Sequence, residues 1–304
     1  MHLDRVLFFP VTPFASDGSV NSEALAAHIE AGIGHDAGGV FVGCGTGEFH
    51  ALGPEEYRRV VQIAVHTTNG RVPVVAGAGG PLPHAIGCAR AAAEAGVDGL
   101  LLMPPYLVDG PEVGLIAYVR AVAGATELPV VIYQRKNARF TPEGAAYLAQ
   151  LPTVAGFKDG LGDIELMQRT VLEVRRALHD SGKPFAFFNG LPTAEVSVPA
   201  YRALGVDLYS SAAFCFVPEV ANAFRVAVTE GDASLTGKLL EKFYGPLAQL
   251  RDRAPGYAVS LVKAGVRLRG LDVGAVRPPL VDPHPKDLDT LERLIATGLD
   301  LVQI

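Results

Sequence analysis

Apolar residues along the chain fall into short continuous runs separated by longer amphipathic stretches. The runs are VLFFPV from Val6, GVFVG from Gly39, VPVVAGAG from Val72, GLLLMPP from Gly99, LPVVIYQ from Leu128, VAGFKDG from Val154, FAFFNG from Phe185 and VDLYSS from Val206. None alternates with polar residues as a half-exposed strand would. Continuous runs of this length are what parallel strands covered on both faces require.

The stretches between the runs read as helices with clear starts. Asn21 or Ser22 caps one, and Pro54 followed by two glutamates opens another. Thr141 before Pro142 opens a third, and Asp163 a fourth. A short polar side chain satisfies first-turn N–H groups, and proline is pre-set for the first helical position. Eight strand–helix units in series predict an α/β fold, a (β/α)8 TIM barrel. A doubly wound sheet with this many elements usually shows a changed order or an inserted element midway, and the sequence has neither. The eighth unit is complete near residue 230, and the remainder reads as further helix. The expected organisation is therefore a barrel over 1–230 and a C-terminal helical extension over 231–304 packed on it.

Of the 304 residues, 49% are apolar and 19% charged, a globular composition with a net charge of −6. No basic stripe appears, which argues against a nucleic-acid partner. The acidic total does not exclude an anionic substrate, because a small ligand responds to the local field of its pocket. Cys44, Cys88 and Cys215 are few, odd in number and set in apolar surroundings. They are expected to be reduced core thiols of a cytoplasmic protein. The start of the chain lacks the apolar run and cleavage site of a secretory signal. No stretch of about 20 apolar residues is present to make a transmembrane helix.

In a barrel of this kind the chemistry lies at the C-terminal ends of the strands. Lys158 stands there, between Phe157 and Asp159. An ion pair with a rim carboxylate is the ordinary role for such a lysine. Desolvation near the barrel mouth would instead lower its pKa, and a neutral amine attacks carbonyls. Asp159 points away from it by strand alternation, and Gly156 and Gly160 are expected to give it room. Tyr133 ends the neighbouring run, either as a core aromatic or as a proton shuttle to the amine. The sequence GCGTGE over 43–48 offers backbone N–H groups and the Thr46 hydroxyl before a helix, a cradle for a carboxylate or phosphate. It fails the dinucleotide-binding spacing. Glu48 fits a turn-stabilising role. The histidines make no paired metal motif, and only His50 lies near the site.

Three stretches together resemble the dihydrodipicolinate synthase / N-acetylneuraminate lyase superfamily: FFPVTPF with DGSVN at the start, GCGTGE after the second strand, and YQR with GFKDG across the fifth and sixth. The resemblance covers the whole barrel in order and spacing. It implies that Lys158 forms a Schiff base with a 2-keto acid and Tyr133 transfers protons. It also implies that Gly45 and Thr46 hold the keto-acid carboxylate. Gly45 replaces the first hydroxyl of the family loop. Leu107 replaces the second tyrosine of the synthase strand-4 motif, which implies that the synthase's intersubunit proton relay is absent. Together with GTGEF, FNGLPTAE and GYAVSLVKAG, the chain is most similar to the 5-dehydro-4-deoxyglucarate dehydratase branch. That branch decarboxylates as it dehydrates and makes 2,5-dioxopentanoate. The substrate implied is a small keto-sugar diacid. Neither metal nor organic cofactor is needed, because the lysine serves as electron sink. Arg135, Asn189, Ser210 and Ser211 are candidates for the distal carboxylate and hydroxyls. The resemblance further implies a homo-oligomer, commonly a tetramer, with no membrane partner. A pyruvate-dependent aldolase of the same superfamily and a non-catalytic sugar-acid-binding barrel are the competing readings.

Overall fold

Eight parallel strands close in sequence order into a barrel: β1 (Leu7–Phe8), β2 (Gly39–Val42), β3 (Val74–Ala78), β4 (Gly99–Leu102), β5 (Val130–Gln134), β6 (Val154–Asp159), β7 (Ala186–Asn189) and β8 (Leu208–Ser211). The computed structural model describes residues 3–106 and 108–303, so the expectation for Leu107 lies outside the described residues. Around the barrel lie α1 (Ser22–Gly34), α2 (Pro54–Thr68), α3 (Leu82–Ala95), α4 (Glu112–Ala123), α5 (Pro142–Ala149), α6 (Ile164–Leu178), α7 (Val198–Ala203) and α8 (Pro218–Glu230). The caps act as their side chains dictate. Asn21 accepts from the Ala24 N–H, Thr141 from Gly144 and Asp163 from Leu166, each satisfying a first-turn donor.

Strand alternation divides the core into two. Leu7, Phe9, Phe41, Val75, Leu101, Val131 and Phe188 fill the barrel interior. Their neighbours Phe8, Val40, Val42, Val74, Leu100, Val130 and Ile132 face the helices. One irregularity matters for function. Val130 pairs with Val154, but Val131 pairs with Gly156, so β6 carries one extra residue at Ala155. Such a bulge re-aims every side chain beyond it. Val154 and Phe157, three residues apart, both pack toward the helices. Without the extra residue, alternation from Val154 would turn Lys158 outward. With it, Lys158 stands on the interior face, in register with Tyr133.

Beyond α8, α9 (Ala233–Leu239) and α10 (Gly245–Arg251) are joined by a wider helical turn at Leu240–Tyr244, followed by α11 (Tyr257–Leu268) and α12 (Pro285–Leu301). α11 lies over the barrel mouth, where Tyr257, Leu261 and Val262 wall the cavity. Its Lys263 reaches back to Glu48. Among the described residues no helix is long and apolar enough to cross a membrane.

Candidate active site

A cavity of about 440 Å³ opens at the C-terminal ends of the strands. Lys158 lies at its base, 5% exposed. The amine stands 4.2 Å from the Phe9 ring centre and 4.6 Å from that of Tyr133. Among the described residues it has no ion-pair or hydrogen-bond partner. Burial drives its pKa from 10.5 down to about 7; Cys44 acts against that fall and Arg135 adds to it. A large share of the amine is therefore neutral near pH 7, as attack on a carbonyl requires.

Tyr133 donates its hydroxyl to the Gly190 carbonyl at 2.9 Å. Burial, the largest influence, raises its pKa, and nearby Arg135 opposes the rise. The glycines make room, though not as the sequence suggested. A Cβ at Gly156 would meet Phe188, and one at Gly160 would meet the Tyr133 ring at 2.8 Å. The glycine that admits the lysine is Gly190, where a Cβ would meet Lys158 Cε at 2.6 Å. Asp159 faces the other way and is bound up there. It accepts from Tyr201 Oη, from Gln134 Nε2 at 3.1 Å and from the Leu161 and Gly162 N–H groups.

Gly45 and Thr46 line the same cavity as the lysine. Their N–H groups have no acceptor among the described residues, which leaves a cradle for an anion. The turn beneath them is fixed from both sides. Thr12 Oγ1 donates to the Gly47 carbonyl at 2.7 Å. Glu48, in the left-handed region at φ 55°, accepts from Lys263 Nζ at 2.7 Å and from the Arg277 N–H at 2.8 Å. The Glu48 and Lys263 side chains are both fully buried. Glu48 thus anchors the loop and makes no contact with the cavity.

Arg135, Ser210 and the exposed His50 line the cavity. Asn189 and Ser211 do not, and the expectation for them is corrected. Asn189 stands in register with Asp159, on the helix-facing side of β7. Its amide donates to Ala194 O and Ser197 Oγ, and its oxygen accepts from Leu191. Ser211 donates to buried Glu195 at 2.5 Å and accepts from the Phe214 N–H. Burial raises the Glu195 pKa to about 7, against the pull of Ser211. Both candidates lie one residue out of phase with the interior positions Phe188 and Ser210. The sequence reading missed Gly190, Arg251 and Lys263. The last two come from the extension: Lys263 lies within the GYAVSLVKAG stretch, but nothing in that stretch pairs it with Glu48, and no local motif marks Arg251. Among the described residues no three His, Cys, Asp or Glu side chains are grouped to hold a metal ion.

Over 98% of its length the chain is 54% identical to a probable 5-dehydro-4-deoxyglucarate dehydratase 1 from Streptomyces coelicolor, of which 93% is covered. It is 45% identical to a probable 5-dehydro-4-deoxyglucarate dehydratase from Azotobacter vinelandii, with 95% of this chain and 94% of that one covered. Among solved structures, dihydrodipicolinate synthase from Oceanobacillus iheyensis superposes with a TM-score of 0.87 at 26% identity, covering 97% of this chain and 96% of that one. YagE from E. coli K12, in complex with pyruvate, gives 0.85 at 26% identity, with 96% and 98% covered. The model of the dihydrodipicolinate synthetase family matches residues 2–297, and the chain belongs to that family.

Proposed function

We propose that this chain is a decarboxylating dehydratase that converts 5-dehydro-4-deoxyglucarate to 2,5-dioxopentanoate, CO2 and water through a Schiff base on Lys158. The observation that carries the reading is a buried lysine, in register with Tyr133, that has no counter-ion among the described residues. The names of the relatives over nearly the whole chain give the substrate.

The steps balance. The neutral amine adds to the ketone and water leaves, giving a protonated imine. The adjacent CH2 becomes acidic, and the proton it gives up, relayed by Tyr133, is the one that leaves with the β-hydroxyl. The enamine expels the β-hydroxyl as water. The resulting conjugated iminium draws in the electron pair of the bond to the far carboxylate, and CO2 departs. Protonation of the dienamine, tautomerisation and hydrolysis release the semialdehyde and the free lysine. The water lost in forming the imine is returned on hydrolysis, so the net change is one water and one CO2 out and one proton in.

Gly45 and Thr46 take the keto-acid carboxylate, and Arg135 and Ser210 take the distal end. Fixed donors at both ends place the reacting carbons over Lys158 without reorganisation. The same reading divides the chain into a catalytic barrel over 1–230 and an extension over 231–304. It places the protein in the cytoplasm, in line with three buried free thiols. It also makes the protein a homo-oligomer, a tetramer by its resemblance. Exposed apolar side chains such as Val113 and Leu172 are consistent with subunit contacts.

The test is turnover of 5-dehydro-4-deoxyglucarate followed by CO2 and semialdehyde release, with borohydride trapping of the imine. An adduct on Lys158 is expected. Pyruvate and an aldehyde as products would instead mean an aldolase, and an adduct on another lysine would refute the mechanism.

A further inference from the structure

The loop after β7, Gly190–Thr193, touches both groups assigned to the chemistry. The Gly190 carbonyl accepts the Tyr133 hydroxyl at 2.9 Å, and its Cα packs against the Lys158 side chain. Three residues on, Thr193 sits at φ 50°, in the left-handed region. A β-branched residue avoids that region unless its surroundings hold it there. The group that holds it is Arg251, the last residue of α10. Its Nη1 donates to the Pro192 carbonyl at 2.6 Å and to Thr193 Oγ1 at 2.8 Å. The other edge of the guanidinium grips Asp252, Nε to Oδ1 at 2.8 Å and Nη2 to Oδ2 at 2.9 Å. Four of the five N–H donors of the fork are thus committed within the protein. Arg251 lines the cavity, yet little of its donor capacity is left for a substrate.

We infer that Arg251 is a positioning residue for proton transfer at the Lys158 imine. From the extension it holds the β7 loop in the strained conformation that gives Tyr133 a fixed acceptor. The inference rests on the roles proposed above for Lys158 and Tyr133. The extension therefore enters the reaction through one side chain, without touching the reacting atoms.

The test compares wild type, Arg251→Met, Arg251→Lys and the double variant Arg251→Met/Thr193→Asn in turnover of 5-dehydro-4-deoxyglucarate. Misplacing the loop is expected to lower kcat about 10- to 100-fold in Arg251→Met, with KM changed less than about threefold. Loss of the carbonyl acceptor removes a bond that favours the neutral phenol, so the basic limb of the kcat profile should move to lower pH. Asparagine tolerates the left-handed region, so Thr193→Asn should restore about tenfold of the lost kcat. A raised KM at unchanged kcat would make Arg251 a substrate ligand and overturn the inference. So would a lowered Tm with unchanged kinetics, which marks a purely structural contact. If Arg251→Met does not fold, Arg251→Lys is read by the same criteria. Borohydride trapping of wild type with 5-dehydro-4-deoxyglucarate is the control. Failure there removes the function itself, whereas trapping on Lys158 beside an unaffected kcat in the variants removes only this inference.

Discussion

Lys158 and Lys263 are both buried, and each amine lies over an aromatic ring, 4.2 Å from Phe9 and 4.0 Å from Phe14 respectively. What separates them is a carboxylate. Lys263 meets Glu48 at 2.7 Å, so burial lowers its pKa while Glu48 works against the fall. Among the described residues no carboxylate acts on Lys158, and its pKa drops to about 7. The same side chain is structural where its charge is matched and, in the function proposed, chemical where it is not. The paired lysine ties the extension to the loop that carries Gly45 and Thr46. The unpaired one is available to react.

Exchanging the two roles should fail in opposite ways. Lys158→Met is expected to abolish both turnover and the borohydride adduct while leaving a folded protein; any residual adduct would show that another lysine reacts. Lys263→Met leaves a buried carboxylate without its cation and should cost about 3–5 kcal/mol in denaturant unfolding. The double variant Lys263→Met/Glu48→Gln should recover most of that loss. If it recovers none, the pair is not what holds the loop.

The folded pKa of Lys158 lies below its unfolded value of 10.5, so the folded state binds fewer protons than the unfolded state between about pH 7 and 10.5. The cost of burying this amine is fully present below about pH 7 and disappears as pH approaches the unfolded value. Lys158→Met should therefore raise Tm most below pH 7, with a gain that shrinks on going alkaline. A gain independent of pH would point to packing alone. The smallest effect is kinetic: imine formation with 5-dehydro-4-deoxyglucarate should fall about tenfold per pH unit below pH 7 and level off above it. A limb centred near 10 would mean that the amine is not desolvated in solution.

Much of the cavity lining was legible because it sits in contiguous sequence. Lys158 ends an apolar run, Tyr133 ends the run before it, and Gly45 and Thr46 occupy a glycine-rich turn before a helix. Asn189 and Ser211 misled because they also end runs, one residue out of phase with the interior. Arg251 was hidden because it lies on an ordinary amphipathic helix 58 residues from the Thr193 it holds.

The sequence by itself determined the eight strands, the helices between them and the chemical types gathered at the strand ends. These depend on apolar periodicity and on capping residues, which act over a few neighbours. Tertiary structure decided which of those side chains meet. The extra residue at Ala155 turns Lys158 inward, and it appears only when β6 is laid against β5. The Lys263–Glu48 pair joins residues 215 positions apart. Strand register and buried charge pairing are set when surfaces close on one another, and no local pattern encodes either.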